Sequence, residues 1–250
     1  MSHSGVMQHG TREGTSAAPR ARPIAAVLAV KGLADAKTRL SPVVPADARR
    51  ALVLAMMSDT ISAARAAGVD DIVVVTPDPD VEDTARRHGA RVVADAPTDA
   101  ADPTTSSLNR ALTRGIDAAI GLRDARIVVL QADLPALRAQ HLSAALARAD
   151  GHRQAIVTDR SGSGTAMLII GDTTDVTPRF GVGSAQAHRD AGAVDLVAET
   201  DDLWPDLRTD VDTVDDLAAA MTLGVGRATA QVLADVGLGS LASTPTPHAS

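Results

Sequence analysis

Short apolar runs alternate with amphipathic segments along most of the chain. An apolar run over residues 24–30 predicts a first strand, and an Ala-rich amphipathic stretch over 46–67, ended by Gly68, predicts a long helix. The run Ile72-Val73-Val74-Val75-Thr76 is typical of a strand buried on both faces of a parallel sheet. The same patterns predict helices over 80–88, 106–121 and 137–149 and strands over 91–94 and 126–130. Because each of these strands is followed by a helix, parallel pairing through right-handed crossovers is the simplest topology.

The pattern changes after about residue 153. Two predicted strands, 154–158 and 165–170, are joined by a short Ser- and Gly-rich loop, which indicates a hairpin-like or mixed-sheet excursion. Further helical stretches are predicted around 184–192 and 214–220. Together these elements predict a three-layer α/β fold with a mostly parallel, mixed sheet, whose second half builds a substrate lobe.

The two ends of the chain lack this pattern. Residues 1–22 are rich in Ser, Gly, His and Arg and contain no apolar run, so we expect neither a signal peptide nor a membrane span there. The polar residues 241–250 have the same character. We expect a disordered leader or a misassigned start codon, one domain over residues 23–240, and a disordered tail.

Composition narrows the classes of function. A net charge of -7 and an aromatic content of 1% argue against nucleic-acid binding, which needs a basic face and rings for stacking. The absence of cysteine excludes disulfides, thiolate metal sites and a cysteine nucleophile, and it is compatible with the cytoplasmic location that we expect. Neither the dinucleotide fingerprint nor the P-loop pattern occurs, which disfavours simple dehydrogenases and NTPases.

The loop after the first predicted strand is basic. Lys31, Lys37 and Arg39 all follow that strand within nine positions. The carboxyl end of a parallel strand is where α/β proteins bind ligands, and cations there neutralise the charge of a polyphosphate. We therefore predict a phosphate site at this loop, the alternative being a solvated loop that is merely basic.

Two acidic segments are candidates for a metal site. Asp133 comes just beyond a central predicted strand, where a carboxylate can hold Mg²⁺; the alternative is that Asp133 caps the helix after it. Asp210 and Asp212 alternate as strand-end residues would. The two acids that follow Thr213 instead suit the first turn of a helix capped by Thr213 or Asp212.

Taken in order, these segments resemble the nucleotidyltransferases of the glycosyltransferase-A-like fold, and most closely the guanylyltransferases of coenzyme F420 biosynthesis. The resemblance spans residues 24 to about 236 and rests on Val30-Lys31-Gly32-Leu33, Ala36-Lys37-Thr38-Arg39-Leu40, Ser107-Leu108-Asn109-Arg110-Ala111-Leu112, Gln131-Ala132-Asp133-Leu134-Pro135, Gly164-Thr165, Pro178-Arg179-Phe180-Gly181-Val182-Gly183-Ser184 and Asp210-Val211-Asp212-Thr213. It implies a nucleotide-diphospho-sugar transferase-like fold. Val214 stands where many relatives carry proline, which we expect to alter helix entry more than chemistry.

The resemblance also implies a role for each matched residue. The implied catalytic residues are Lys31, Lys37, Arg39 and Asp133, and the nucleotide is implied to contact Lys37, Arg39 and Asn109. The implied ligands of Mg²⁺ are Asp133 with Asp212, or less favourably Asp210. The implied acceptor site consists of Thr165, Gly181 and Ser184. Residues 181–184 open a predicted helix, whose free N–H groups would form an anion seat. Helix capping or a solvent-facing side chain is the alternative for Asn109.

The implied reaction joins GTP to a phosphorylated acid and releases pyrophosphate. The acceptor phosphate is already a nucleophile, so no general base is needed and none of the seven histidines requires a role. Phosphoenolpyruvate, 2-phospholactate and 3-phosphoglycerate differ by groups worth only about 1–3 kcal/mol in a pocket. The Ala- and Arg-rich, actinobacterial character of the chain favours phosphoenolpyruvate. GTP and this acid are the expected partners, with a possible hand-over of product to the next pathway enzyme.

Three alternatives remain at this stage. A relative acting on the molybdenum cofactor or a sugar phosphate is disfavoured because the Gly-rich first loop of those proteins is missing. A catalytically silent binding module is disfavoured because the basic and acidic site residues and Ser184 are retained together. An oxidoreductase on a doubly wound sheet is disfavoured by the missing dinucleotide fingerprint.

Overall fold

A computed structural model describes residues 22–34, 36–95, 105–120, 125–171, 177–200 and 202–239. The predicted leader, apart from Arg22, and the predicted tail lie outside these residues. The strands are β1 Ile24–Ala29, β2 Asp71–Thr76, β3 Arg91–Ala94, β4 Arg126–Leu130, β5 Gln154–Thr158, β6 Thr165–Ile170 and β7 Val194–Asp195. The helices are α1 Ala46–Ala66, α2 Pro79–Arg87, α3 Ser107–Ile120, α4 Ala139–Arg148, α5 Ser184–Asp190, α6 Val214–Leu223 and α7 Arg227–Asp235. Within the described ranges, no helix has the length and apolar character needed to cross a bilayer.

The strands form one mixed sheet of seven in the order β3-β2-β1-β4-β6-β5-β7. β1 pairs in parallel with β2 and β4, and β3 pairs in parallel with β2. β6 runs antiparallel to both β4 and β5, while the short β7 is parallel to β5. The predicted α/β class, the mostly parallel mixed sheet and the hairpin between β5 and β6 are therefore confirmed.

Alternate residues of each central strand face two different apolar layers. In β1, Ala26 and Leu28 face a core shared with α1, α2, α4, α6 and α7. Ala25 and Val27 face a second core that includes α3 and α5. Since β1 is central in the sheet and a helical layer covers each of its faces, its sequence is a continuous apolar run.

α3 packs very closely on the sheet. A Cβ atom at Gly115 would lie 2.4 Å from Val27 Cγ1 and 2.8 Å from Val75 Cγ2, so glycine is required there for helix and strands to approach. This contact holds the first turn of α3 near the carboxyl ends of β1 and β2.

Two elements were not predicted. β7 has only two residues, too few to form a pattern. α7 begins at a long-range cap, because Asp59 of α1 accepts hydrogen bonds from the N–H groups of Ala228 at 3.1 Å and Thr229 at 2.8 Å. No local pattern near residue 227 reveals this cap.

Candidate active site

The basic loop is fastened to the sheet by Asp78. The Leu33 N–H donates to Asp78 Oδ2 at 2.9 Å, and Asp78 Oδ1 accepts from the N–H of Asp80 at 3.0 Å as the N-cap of α2. One carboxylate thus joins the loop after β1 to the helix after β2. The loop ends in a 3₁₀ helix over Thr38–Leu40, whose N-cap Lys37 has a left-handed backbone with φ 52° and ψ 41°. Such a conformation costs a non-glycine residue about 1–2 kcal/mol.

Lys37 lies between two predicted metal ligands. Its Nζ donates to Asp133 Oδ2 and, at 2.7 Å, to Asp212 Oδ1. Burial alone would lower the pKa of this ammonium, but attraction to the two carboxylates outweighs burial and raises the pKa above its usual range. Lys37 therefore stays charged, and the structure brings a basic-loop cation and two distant acids to one point.

Backbone contacts explain why the two acids converge. The Val211 N–H donates to the carbonyl of Asp133 at 3.1 Å, so the segments that carry Asp133 and Asp212 lie side by side. Thr60, fully buried on α1, lies on the other side of Asp133: its hydroxyl accepts from the Leu134 N–H at 3.2 Å and lies 3.3 Å from the Ala132 carbonyl oxygen. Asp133 is thereby fixed from both sides.

The alternative in which Asp133 caps the next helix is wrong. α4 begins at Ala139, and the N–H of its N-cap residue Arg138 donates to Asp206 Oδ2 at 2.8 Å. The turn through Pro135 displaces the helix start beyond the reach of Asp133. The cap of α6 is as predicted, because Thr213 accepts from the Asp216 N–H at 3.2 Å in a capping box.

The carboxylates have the chemistry that a divalent cation requires. Asp133 Oδ1 is buried and has no hydrogen-bond partner within the described residues, which leaves a lone-pair donor available beside Asp212. Asp210 is half-buried near both; burial first, and then repulsion by Asp133 and Asp212, raises its pKa to about 7. Carboxylate oxygens are the ligands that hard divalent cations prefer.

A cavity of about 620 Å³ opens beside these groups at the carboxyl ends of β1 and β4. Five predicted residues line it: Lys31, Lys37, Arg39, Asp133 and Asp212. Lys31 and Arg39 are exposed. An adjoining cavity of about 380 Å³ shares Arg39 and Asp212 and contains Asp210.

The predicted acceptor residues lie on a different part of the site, at the start of β6 and α5. Thr165 and Ser184 are buried, and Gly181 is exposed with φ 129°. None of the three lines either cavity, but the Thr165 carbonyl accepts from Nε2 of Gln131, a lining residue of the larger cavity, at 3.3 Å.

The expectation of free N–H groups at the start of α5 is wrong for two of them. The Ser184 N–H donates to the Gly181 carbonyl and the Ala185 N–H to the Ser163 carbonyl, each at 3.1 Å. The physical reason is the turn through residues 181–183, which folds back on the helix, together with the β5–β6 loop, which reaches the same end.

Asn109 is committed to the protein backbone. Its Nδ2 donates to the Phe180 carbonyl at 3.0 Å, and its Oδ1 accepts from the Phe180 N–H at 2.8 Å. The amide thus attaches the loop before α5 to the first turn of α3. Contact between Asn109 and a nucleotide stays a prediction.

His188 contacts the predicted acceptor residue Thr165, and sequence reasoning did not single it out. Its Nε2 accepts from the Arg179 N–H at 3.0 Å, and its Nδ1 lies 3.0 Å from Thr165 Oγ1. Its ring meets that of Phe180 edge-to-face, with centroids 5.2 Å apart. Burial lowers the pKa of His188 to about 4, a hydrogen bond to the Ser184 backbone opposes this, and the charge of Arg179 adds to it. The spacing of these residues could have indicated His188, because it lies four residues after Ser184 and therefore on the same helix face.

Comparison with known proteins finds similar sequences that match most of the chain. The family described as "Guanylyl transferase CofC like" matches residues 24–247. A phosphoenolpyruvate guanylyltransferase of Mycolicibacterium gilvum is 49% identical over 212 residues, covering 84% of this chain and 94% of the relative. A protein of the same name from Mycobacterium sp. strain KMS is 48% identical over 218 residues, covering 87% and 94%.

Solved structures support the fold. A protein described as a nucleotide-diphospho-sugar transferase from Desulfovibrio desulfuricans superposes with a TM-score of 0.59 at 16% identity, over 88% of this chain and 97% of that one. A nucleotidyl transferase from Methanothermobacter gives a TM-score of 0.52 at 22% identity, over 78% and 94%. One conclusion follows from the fold, from the converging basic and acidic residues and from the match over nearly all described residues. The chain belongs to the CofC-like guanylyl transferase family.

Proposed function

We propose that this protein transfers the guanylyl group of GTP to phosphoenolpyruvate, giving enolpyruvyl-diphospho-5′-guanosine and pyrophosphate, in coenzyme F420 biosynthesis. The observation that carries the proposal is the convergence of Asp133 and Asp212 on Lys37 beside the larger cavity. The names of the relatives from Mycolicibacterium gilvum and Mycobacterium supply the acceptor.

GTP binds in the larger cavity. Its triphosphate carries several negative charges, and Lys31, Lys37 and Arg39 line this cavity as counter-charges. The cavity opens where the parallel strands β1 and β4 end, the usual ligand edge of an α/β sheet. Leu108 lines this cavity, and the next residue, Asn109, lies between the nucleotide side and the acceptor side of the site.

Asp133 and Asp212 would hold Mg²⁺, with Asp210 as the less favoured second ligand. The unpartnered Asp133 Oδ1 and the direct reach of Asp212 to Lys37 support this choice of ligands. A metal held there would supply charge neutralisation to the reacting phosphates. Lys37 Nζ contacts both carboxylates and supplies the same charge neutralisation from the protein side.

The reaction is an in-line displacement at the α-phosphorus of GTP. An acceptor phosphate oxygen forms the new P–O bond, the bond to the bridging β-phosphate oxygen breaks, and pyrophosphate carries away the electron pair. The acceptor phosphate is largely ionised at neutral pH, so no side chain has to remove a proton. Lys31, Lys37 and Arg39 act by positioning and by stabilising charge as it shifts to the leaving group.

The test is pyrophosphate release from the purified protein with Mg²⁺, measured for GTP, ATP, CTP and UTP against phosphoenolpyruvate, 2-phospholactate and 3-phosphoglycerate in turn. Inorganic pyrophosphatase converts the released pyrophosphate to phosphate, which is the quantity recorded, so that an unfavourable equilibrium cannot conceal turnover. Release that requires both GTP and phosphoenolpyruvate, and that stops with EDTA, is expected.

Release with another acid would reassign the acceptor. Silence with all three, with GTP binding retained, would favour a silent nucleotide-binding module of the same fold. Hand-over of product to the next pathway enzyme stays a prediction of this proposal.

A further inference from the structure

We propose that His188 is a positioning residue of the acceptor site, held in one neutral tautomer so that the hydroxyl of Thr165 donates its hydrogen to the anionic acceptor. The inference rests on the proposed function, because the acceptor site is part of it. His188 itself does not touch the reacting atoms; it acts through Thr165 and through the loop before α5.

The tautomer follows from the partners of the ring. The Arg179 N–H can only donate, so His188 Nε2 must accept and carries no proton. In a neutral ring the proton is then on Nδ1.

The Nδ1 proton fixes the direction of the next hydrogen bond. Thr165 Oγ1, 3.0 Å from Nδ1, accepts from it, and the hydroxyl's own hydrogen is left to donate elsewhere. Within the described part of the chain, Thr165 Oγ1 has no other hydrogen-bond partner, although the residue is 3% exposed. A phosphorylated acid offers the anionic oxygen that such a buried donor requires.

The same ring also holds the loop before α5. Arg179 is attached through its N–H to His188, and the next residue, Phe180, is attached through both backbone groups to Asn109. Two neighbouring residues are therefore fastened by side chains from two different helices. The position of Gly181 and Ser184 relative to Thr165 depends on these attachments.

The first experiment measures the tautomer without any substrate. Long-range ¹H–¹⁵N correlation spectra of the full-length, ¹⁵N-labelled protein at pH 7 are compared with those of His188→Gln, which identifies the His188 ring by its loss. A neutral ring protonated at Nδ1 is expected. A ring protonated at Nε2, or at both nitrogens, would overturn the proposal.

The second experiment measures KM for phosphoenolpyruvate and for GTP separately. Thr165→Val removes the hydroxyl and is expected to raise the KM for phosphoenolpyruvate about 10- to 100-fold, the loss of one hydrogen bond to a charged group. Thr165→Ser keeps the hydroxyl and should stay within about three-fold of the wild type. His188→Gln keeps an acceptor oxygen for the Arg179 N–H but removes the Nδ1–H that faces Thr165. It should raise the KM for phosphoenolpyruvate with little change in the KM for GTP.

The double variant Thr165→Val with His188→Gln decides whether the two residues act as one unit. Its KM for phosphoenolpyruvate is expected to be no higher than the larger of the two single-variant values, because both changes remove the same hydrogen bond. If the increases in KM from the two substitutions multiply in the double variant, the proposal is overturned. His88→Gln, an exposed histidine on α2's C-terminal end, is the matched control and should change neither KM.

The two proposals can fail separately. A silent wild-type protein with a ring protonated at Nδ1 would contradict the proposed function and leave the ring arrangement standing. An active wild-type protein with a ring protonated at Nε2, or with Thr165→Val at wild-type KM, would contradict the role of His188 and leave the proposed function standing.

Discussion

The two sides of the site are built from different kinds of contact. On the proposed nucleotide side, charged groups meet directly, as Lys37 does with Asp133 and Asp212. On the proposed acceptor side, the contacts are between neutral groups: an imidazole with Thr165 and with a backbone N–H, and the Asn109 amide with the Phe180 backbone. Charge attracts from any direction, whereas a neutral hydrogen bond requires a defined geometry.

The difference indicates a division of labour. A triphosphate is bound by charge, and all nucleoside triphosphates share that charge. The small acids that could act as acceptor share a phosphate and a carboxylate and differ by a double bond, a methyl or a hydroxyl. Discrimination on that scale needs groups held in fixed directions, which the neutral contacts around Thr165 and His188 provide.

The largest expected effect is from Asp133→Asn on the charged side. The substitution keeps the shape of the side chain and removes its charge, so we expect kcat to fall about a thousand-fold with little change in thermal stability. Steady-state pyrophosphate release and a melting curve measure both. Asp83→Asn, at an exposed position on α2, is the control. Wild-type turnover in Asp133→Asn would remove Asp133 from the reaction centre.

A second change on the charged side separates the ammonium from the carboxylates. Lys37→Met leaves Asp133 and Asp212 without their shared cation, so two effects are expected. The kcat/KM falls about 100-fold through loss of charge stabilisation, and Mn²⁺ binds several-fold more tightly without nucleotide. Electron paramagnetic resonance titration measures the free Mn²⁺. Equal Mn²⁺ affinity in the two proteins would show that Lys37 does not compete for these carboxylates.

On the neutral side, Asn109→Leu tests which substrate this residue serves. Since its amide fastens the Phe180 backbone, we expect the KM for phosphoenolpyruvate to rise about ten-fold and the KM for GTP to change less than two-fold. Thr113→Val, at an exposed position on the same helix, is the control. A selective rise in the KM for GTP would instead support the direct nucleotide contact predicted from the sequence.

The smallest expected effect is on stability at acidic pH. The pKa of His188 is lowered to about 4, so between this value and the usual pKa of about 6.5 the unfolded chain binds more protons than the folded one. The free energy of unfolding therefore falls as pH falls through this window. His188→Gln lacks this titration. The difference in Tm between wild type and variant should shrink by a few degrees from pH 7.5 to pH 4.5; a constant difference would contradict a neutral, buried ring.

Much of this molecule could be predicted from local patterns. The apolar run of β1 and the short loop between β5 and β6 gave the correct strands and the correct hairpin, because burial on both faces and tight turns are local properties. Lys31, Lys37, Arg39 and Asp133 could be grouped because carboxyl ends of parallel strands share one edge. Within the described residues, Asp212 follows no strand directly and reaches this group through the backbone contact between Val211 and Asp133.

The rest depends on contacts between distant segments. Asp59 caps α7 and Asp78 fastens the basic loop, yet each looks like an ordinary acid in its own segment. His188 was passed over because the reaction needs no general base, and positioning through a second residue leaves no motif. The predicted role of Asn109 at the nucleotide stays a prediction, whereas only the structure shows that its amide holds the Phe180 backbone.

The antiparallel pairing of β6 with β4 has a consequence for how such a protein can diverge. Because β6 starts beside the end of β4, the loop over residues 159–164 enters the site from the opposite chain direction to every strand-to-helix connection around the nucleotide. Insertions or exchanges in this one surface loop can therefore reshape that part of the site while the connections after the parallel strands β1 and β4 stay unchanged.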